Sequence, residues 1–135
     1  MHPSRQRTRE NSFVILLATC DQQISEELSR ALKHKKVELL TFDNARDMLL
    51  AIAERQIHLI IFDSSISELK GLGILSVIKK FRPNARVIAM EENLSFEKQA
   101  AMAQEGVIYQ IQKPMNPSEI SQVVETVVDK LSRHG

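Results

Sequence analysis

The chain has 135 residues, of which 43% are hydrophobic and 26% charged, with a formal net charge of +1. That length and mixture describe one globular domain able to bury a core. The near-zero charge gives no reason to expect a nucleic-acid or membrane partner.

One cysteine, Cys20, excludes an intrachain disulfide framework and fits a reducing compartment. No apolar run reaches membrane-span length, and no apolar leader opens the chain, so a cytoplasmic location is expected. Aromatics are 4% with no Trp, so the core must be aliphatic.

Residues 1–12, "MHPSRQRTRENS", carry Arg5, Arg7 and Arg9 among polar neighbours. They read as a flexible basic tail ahead of a domain at 13–133. A nucleic-acid arm would want an aromatic or a motif beside the arginines, and neither is there.

"FVILLAT", Phe13 to Thr19, is a continuous apolar run of strand length. Ile24, Leu28, Ala31 and Leu32 then share one helical face. "VELLTF", Val37 to Phe42, reads as a second strand, and Asp43 or Asn44 can cap the next helix. That helix places Ala45, Met48, Leu49 and Ile52 on one side. "HLIIF", His58 to Phe62, is a third strand. "GLGILSVIKKF" is a third helix, stopped near Pro83. "RVIAM", Arg86 to Met90, is a fourth strand. "SFEKQAAMAQEG" is a short helix that Gly106 can terminate. "VIYQI", Val107 to Ile111, is a fifth strand. The last helix starts at Asn116, with Pro117 and Glu119 in its first turn. Its buried stripe is Ile120, Val123, Val124, Val127, Val128 and Leu131.

Strands 1, 3 and 4 are unbroken apolar runs, the pattern of strands covered on both faces. The expectation is an α/β fold with a doubly wound, five-stranded parallel sheet. Open sheets of this kind bind ligands beyond the carboxyl ends of their strands. That rule selects Thr19, Cys20 and Asp21, then Asp63 and Ser64, then Glu91 and Glu92, then Gln112, Lys113 and Pro114.

No glycine-rich phosphate loop and no zinc-spaced His/Cys set is present. His2, His34, His58 and His134 are scattered and read as surface or strand-edge residues. Ser64 and Ser65 lack a nucleophile-elbow context and read as partners of loop backbone.

The strand-3 segment "HLIIFDSSISELKG" resembles the "DLILLDxxMPxxxG" pattern of response regulator receiver domains, and "GVIYQIQKP" resembles their "GAxxYLxKP". The likeness covers about residues 12 to 133. It implies a (βα)5, flavodoxin-like or CheY-like fold with strand order 2-1-3-4-5, and a cis Lys113–Pro114 bond. Asp63 falls on the phosphoacceptor, Gly71 on the family glycine and Lys113 on the family lysine, while Ser67 replaces a proline.

The implied chemistry is attack of an Asp carboxylate on phosphorus to give an acyl phosphate. Mg²⁺, held by an acidic pair after strand 1 and by the phosphoacceptor, would neutralise the charge. A hydroxyl after strand 4 and an aromatic on strand 5 would respond to the phosphoryl group. The implied role is phosphorelay signalling by a protein that is not an enzyme. Its partners would be a histidine kinase or an effector, docking on the face of helix 4, strand 5 and helix 5. A homodimer through that face is a further form.

Departures from the pattern bear on that chemistry. Thr19 and Cys20 stand where the acidic pair belongs, leaving Asp21 at the third position. Glu91 holds the switch-hydroxyl position and Gln110 the switch-aromatic position, with Tyr109 one residue earlier. Thr and Cys are poor magnesium ligands.

The expectation is therefore a pseudo-receiver with no cofactor, in which Asp63 and Lys113 pair and Glu91 is a second carboxylate for the same ammonium. The alternatives are a genuine phosphoacceptor with a weak metal site at Asp21 and Asp63, or a flavodoxin-like small-ligand binder. A phosphatase using Asp63 would want an acid where Ser65 stands. Cys20 is expected to be a buried or half-buried inert thiol rather than a redox sensor.

Overall fold

A computed structural model describes residues 12–66 and 73–133. The tail arginines Arg5, Arg7 and Arg9, the histidines His2 and His134, and the Ser67 and Gly71 positions lie outside the described residues. In chain order the elements are β1 (Phe13–Ala18), α1 (Gln22–Ala31), β2 (Val37–Phe42), α2 (Ala45–Glu54), β3 (Leu59–Asp63), α3 (Gly73–Phe81), β4 (Arg86–Glu91), α4 (Phe96–Gln104), β5 (Val107–Gln112) and α5 (Pro117–Arg133). The sheet is parallel throughout, in the order β2-β1-β3-β4-β5.

The alternation of side chains along each central strand divides the core in two. Leu16, Ile60, Phe62, Val87 and Ala89 face one layer, where they meet Met48, Ile52, Leu75, Ile78 and Met102 of α2, α3 and α4. Ile15, Leu17, Leu59, Ile61, Ile88 and Met90 face the other, where they meet Leu28 of α1 and Ile120, Val124 and Val128 of α5. Covering on both faces explains why these strands show no polar alternation.

Local chemistry sets the boundaries. Asp21 caps α1 by accepting from Gln23 N–H, and Ser95 caps α4 by accepting from Lys98 N–H. Asn44, not Asp43, caps α2, with its side-chain oxygen 2.8 Å from Asp47 N. Helix α1 ends at Ala31, with Leu32, the last residue of its apolar face, as the C-cap, and Lys33 and His34 turn the chain toward β2. Gly106 follows α4 with φ +93°, and a Cβ there would lie 2.9 Å from Lys79 Cε. Asn116 N donates to Glu119 Oε1 at 3.3 Å, half of a capping box. The Lys113–Pro114 bond is cis.

Edge strand β5 pairs with β4 through a bulge that skips Ile108. Ile108 and Tyr109 are consequently exposed, 42% and 45%. Gln110 turns toward α4 and donates from Nε2 to Gln99 O at 2.9 Å.

His58 supports the start of the sheet. Its backbone N–H donates to Val14 O, and its Nδ1 accepts from Val14 N–H, both at 2.9 Å. Its ring stacks on Phe13, with centroids 4.9 Å apart. Protonation would remove the acceptor from Val14, which is buried. Burial lowers the His58 pKa below its ordinary value.

The resulting stabilisation is complete above the ordinary histidine pKa, about 6.5, and fades as pH falls toward the depressed folded value. Denaturant midpoints should drop between about pH 7.5 and about pH 5, and His58→Gln should flatten that slope. Identical slopes in the two proteins would contradict the assignment.

Candidate functional site

The carboxyl ends of β1, β3 and β5 converge on Asp63, the last residue of β3. Its exposure is 0%. An unpartnered carboxylate at that depth would be strongly disfavoured. The fold supplies hydrogen-bond donors to both oxygens. Oδ1 accepts from Lys113 Nζ at 2.7 Å and from Ser65 N–H at 3.1 Å. Oδ2 accepts from Thr19 Oγ1 at 2.6 Å and from Ser65 Oγ at 3.0 Å.

Each donor is itself fixed. Thr19 Oγ1 accepts from Asp21 N–H at 3.0 Å, and Ser65 Oγ accepts from Cys20 N–H at 3.1 Å. Lys113 N–H donates to Glu91 O at 2.7 Å, which seats the lysine at the end of the β4–β5 ladder. Burial pushes the Asp63 carboxyl pKa up. The Lys113, Thr19 and Ser65 hydrogen bonds and the Lys113 charge outweigh it, and the net shift is downward. Asp63 is therefore a carboxylate at neutral pH.

Glu91 corrects the expected arrangement. It is 1% exposed, yet its carboxylate does not reach Lys113. Its Oε1 instead accepts from Lys98 Nζ of α4 at 3.1 Å. The parity of β4 explains this. Glu91 follows Val87 and Ala89 onto the face covered by α4, whereas Asp63 follows Leu59 and Ile61 onto the opposite face. The expected cation between two carboxylates is thus two separate ion pairs.

Asp21 is engaged as the α1 cap. Cys20 is exposed rather than buried, with Sγ 3.5 Å from Asp43 O. Among the described residues, no group of three or more His, Cys, Asp or Glu side chains is placed to hold a metal ion.

Three contributors escape sequence reasoning. Thr19 registers there as a failed metal ligand, but its hydroxyl is a donor to Asp63. Ser65 bonds Asp63 through both backbone and side chain instead of the loop backbone alone. Lys98 has no motif position, and its pairing with Glu91 depends on how the loop after β4 turns back.

Comparison with known proteins agrees with this architecture. The response regulator receiver domain family matches residues 15–125, and the chain belongs to that family. Receiver domains are signalling modules of two-component systems rather than conventional enzymes. A DNA-binding transcriptional regulator NtrC of Azospirillum brasilense is 31% identical over 119 residues, covering 88% of this chain and 25% of the relative. The chain thus spans about a quarter of the length of the curated relatives it matches.

A CheY-like receiver domain protein from Methanospirillum hungatei JF-1 superposes with a TM-score of 0.75 at 22% identity, covering 92% of this chain and 99% of that one. A response regulator from Burkholderia pseudomallei, solved with a phosphorylated aspartic acid, a calcium ion and citrate, superposes with a TM-score of 0.67 at 16% identity. It covers 85% of this chain and 72% of that one. Among the described residues, no helix is long and apolar enough to cross a membrane.

Removing one member of a buried ion pair strands the other. Lys113→Met is expected to lower unfolding free energy by about 3–5 kcal/mol. Thr19→Val, which removes one hydroxyl donor to a charged acceptor, should lower it by about 1.5–3 kcal/mol. Urea unfolding checks both, and a Lys113→Met change inside the error of wild type would show that the pair has no structural weight.

Proposed function

We propose that this chain is a cytoplasmic receiver-type signalling module whose Asp63 site does not run magnesium-dependent phosphoryl transfer. It acts through protein contacts on the α4–β5–α5 face, with a histidine kinase, an effector or a second copy of itself as partner. The observation that carries this reading is that protein donors already satisfy both oxygens of Asp63.

Forming an acyl phosphate needs a free carboxylate lone pair directed at phosphorus. It also needs a cation to offset the charge of the approaching phosphoryl group. Here Oδ2 is held by two hydroxyls, and Thr19 Oγ1 gives one of its own two lone pairs to Asp21 N–H. A magnesium ion would have to displace both hydroxyls, and it would find Thr19 and Cys20 where carboxylates are wanted. The residues present do not fit that ion. Lys113 supplies the single positive charge that the isolated carboxylate requires.

The retained Asp63–Lys113 pair favours a second reading, a working phosphoacceptor like the Burkholderia pseudomallei regulator solved with phosphorylated aspartic acid. Intact-mass measurement after incubation with acetyl phosphate and Mg²⁺ separates the two. The wild-type chain should gain no phosphoryl mass. Thr19→Asp combined with Cys20→Asp, which restores the acidic pair, should gain one, and adding Asp63→Asn should remove it. A stoichiometric adduct on the wild-type chain, abolished by Asp63→Asn, would overturn the proposal.

A further inference from the structure

Two side-chain networks meet at the end of β4 and share no side chain. The first is the Asp63 cluster, whose donors come from Thr19, Ser65 and Lys113. None belongs to α4 or to the loop before it. The second fastens α4. Lys98 Nζ donates to Glu91 Oε1, and Gln110 Nε2 donates to Gln99 O. Leu94 N–H donates to Gln112 Oε1 at 3.2 Å, and Gln99 Nε2 donates to Leu94 O at 2.8 Å. Gln112 Nε2 donates to Glu92 O as well. Every one of these bonds joins α4 or its leading loop to β4 or β5, or closes the loop on itself.

The networks touch where Lys113 N–H donates to Glu91 O, where Ser64 N–H donates to Met90 O, and where Gln112 Nε2 donates to Lys113 O at 2.7 Å, each time through a backbone group of the Asp63 cluster. These bonds lie at the ends of the β3–β4 and β4–β5 ladders. Coupling between two sites requires an element whose alternative positions both of them bias. A charge change at Asp63 acts on Thr19, Ser65 and Lys113, and none of their side chains is bonded to α4 or its leading loop.

Glu91 could have linked the networks by facing Asp63, but its carboxylate is directed to Lys98. We infer that the Glu91–Lys98 pair and the glutamines Gln99, Gln110 and Gln112 set the position of α4 and of the surface bearing Phe96, Ile108 and Tyr109, independently of the charge on Asp63. The inference rests on the reading of that surface as the output face. Phe96, 84% exposed at the first turn of α4, lies two residues from Lys98, so the pair holds the turn that presents it.

The pair has an asymmetry that makes it testable. Among the described residues, Glu91 Oε2 has no protein donor, and Gln110 Oε1 is a second buried acceptor without one. Removing Lys98 leaves both Glu91 oxygens unpartnered at 1% exposure, whereas Glu91→Gln discards the charge and keeps the shape.

The test is amide chemical-shift mapping on the full chain. Lys98→Met should displace the amides of α4 and those of Gln110 and Gln112, and Glu91→Gln should displace the same set by less. Asp63→Asn should displace Thr19, Ser65 and Lys113 while leaving α4 in place. If Lys98→Met does not fold, Glu91→Gln is read for the same amides. If Asp63→Asn does not fold, Thr19→Val perturbs the same carboxylate.

The inference is overturned if α4 amides move with the Asp63 variant as far as with the Lys98 variant, or if they stay still in the Lys98 variant. Beryllofluoride with Mg²⁺ distinguishes the two proposals. Binding at Asp63 with α4 unmoved would end the inactive-site reading and support this one, and binding with α4 displaced would end both.

Discussion

A carboxylate with no solvent exposure needs a counter-charge and a full set of donors, and much of the site's architecture answers that requirement. Asp63 stands at the end of β3 because the four-residue run before it, Leu59 to Phe62, is buried on both faces. Its ammonium comes from the end of β5, two positions away in the sheet, and its hydroxyl from the end of β1, the adjacent strand. Three strand ends are thereby joined around one charge. The parallel sheet makes this possible, because it gathers the carboxyl ends of all strands at one pole.

The chemistry of that pole follows from which side chains surround the charge. Carboxylates beside Asp63 would repel it and call for a metal ion; a threonine and a serine donate protons to it and need none. The neutral sum is reached twice over, once by Asp63 with Lys113 and once by Glu91 with Lys98. The two pairs lie on opposite faces of the sheet. That separation is the basis for treating the Asp63 pole and α4 as mechanically distinct, even though hydrogen bonds to backbone groups link them.

Much of the fold was legible because its signals are local. Unbroken apolar runs at β1, β3 and β4 reported two-sided burial. The Asn44 and Asn116 starts and the Gly106 stop are short-range effects of capping and backbone freedom. The approach of Asp63 and Lys113 was legible through the family pattern, which fixes their strand-end positions.

What was not legible depends on side-chain direction. Glu91 lies one strand from Asp63, yet a single step of strand parity sends its carboxylate to α4. Lys98 has no spacing rule that ties it to Glu91, since the path of the loop decides the contact. Thr19 is a poor metal ligand by residue type, and its value as a donor depends on the fold placing Asp63 Oδ2 2.6 Å away. Cys20 sits at the same turn, but its side chain points out toward Asp43 O and not into the core.

The central claim is that Asp63 is closed by its own protein donors and has no need of magnesium. The most direct measurement is a Mg²⁺ titration into the millimolar range, followed at the amides of Thr19, Cys20, Ser64, Ser65 and Lys113. The account predicts no saturable shift at these positions. A saturable shift centred on them, lost in Asp63→Asn, would contradict it.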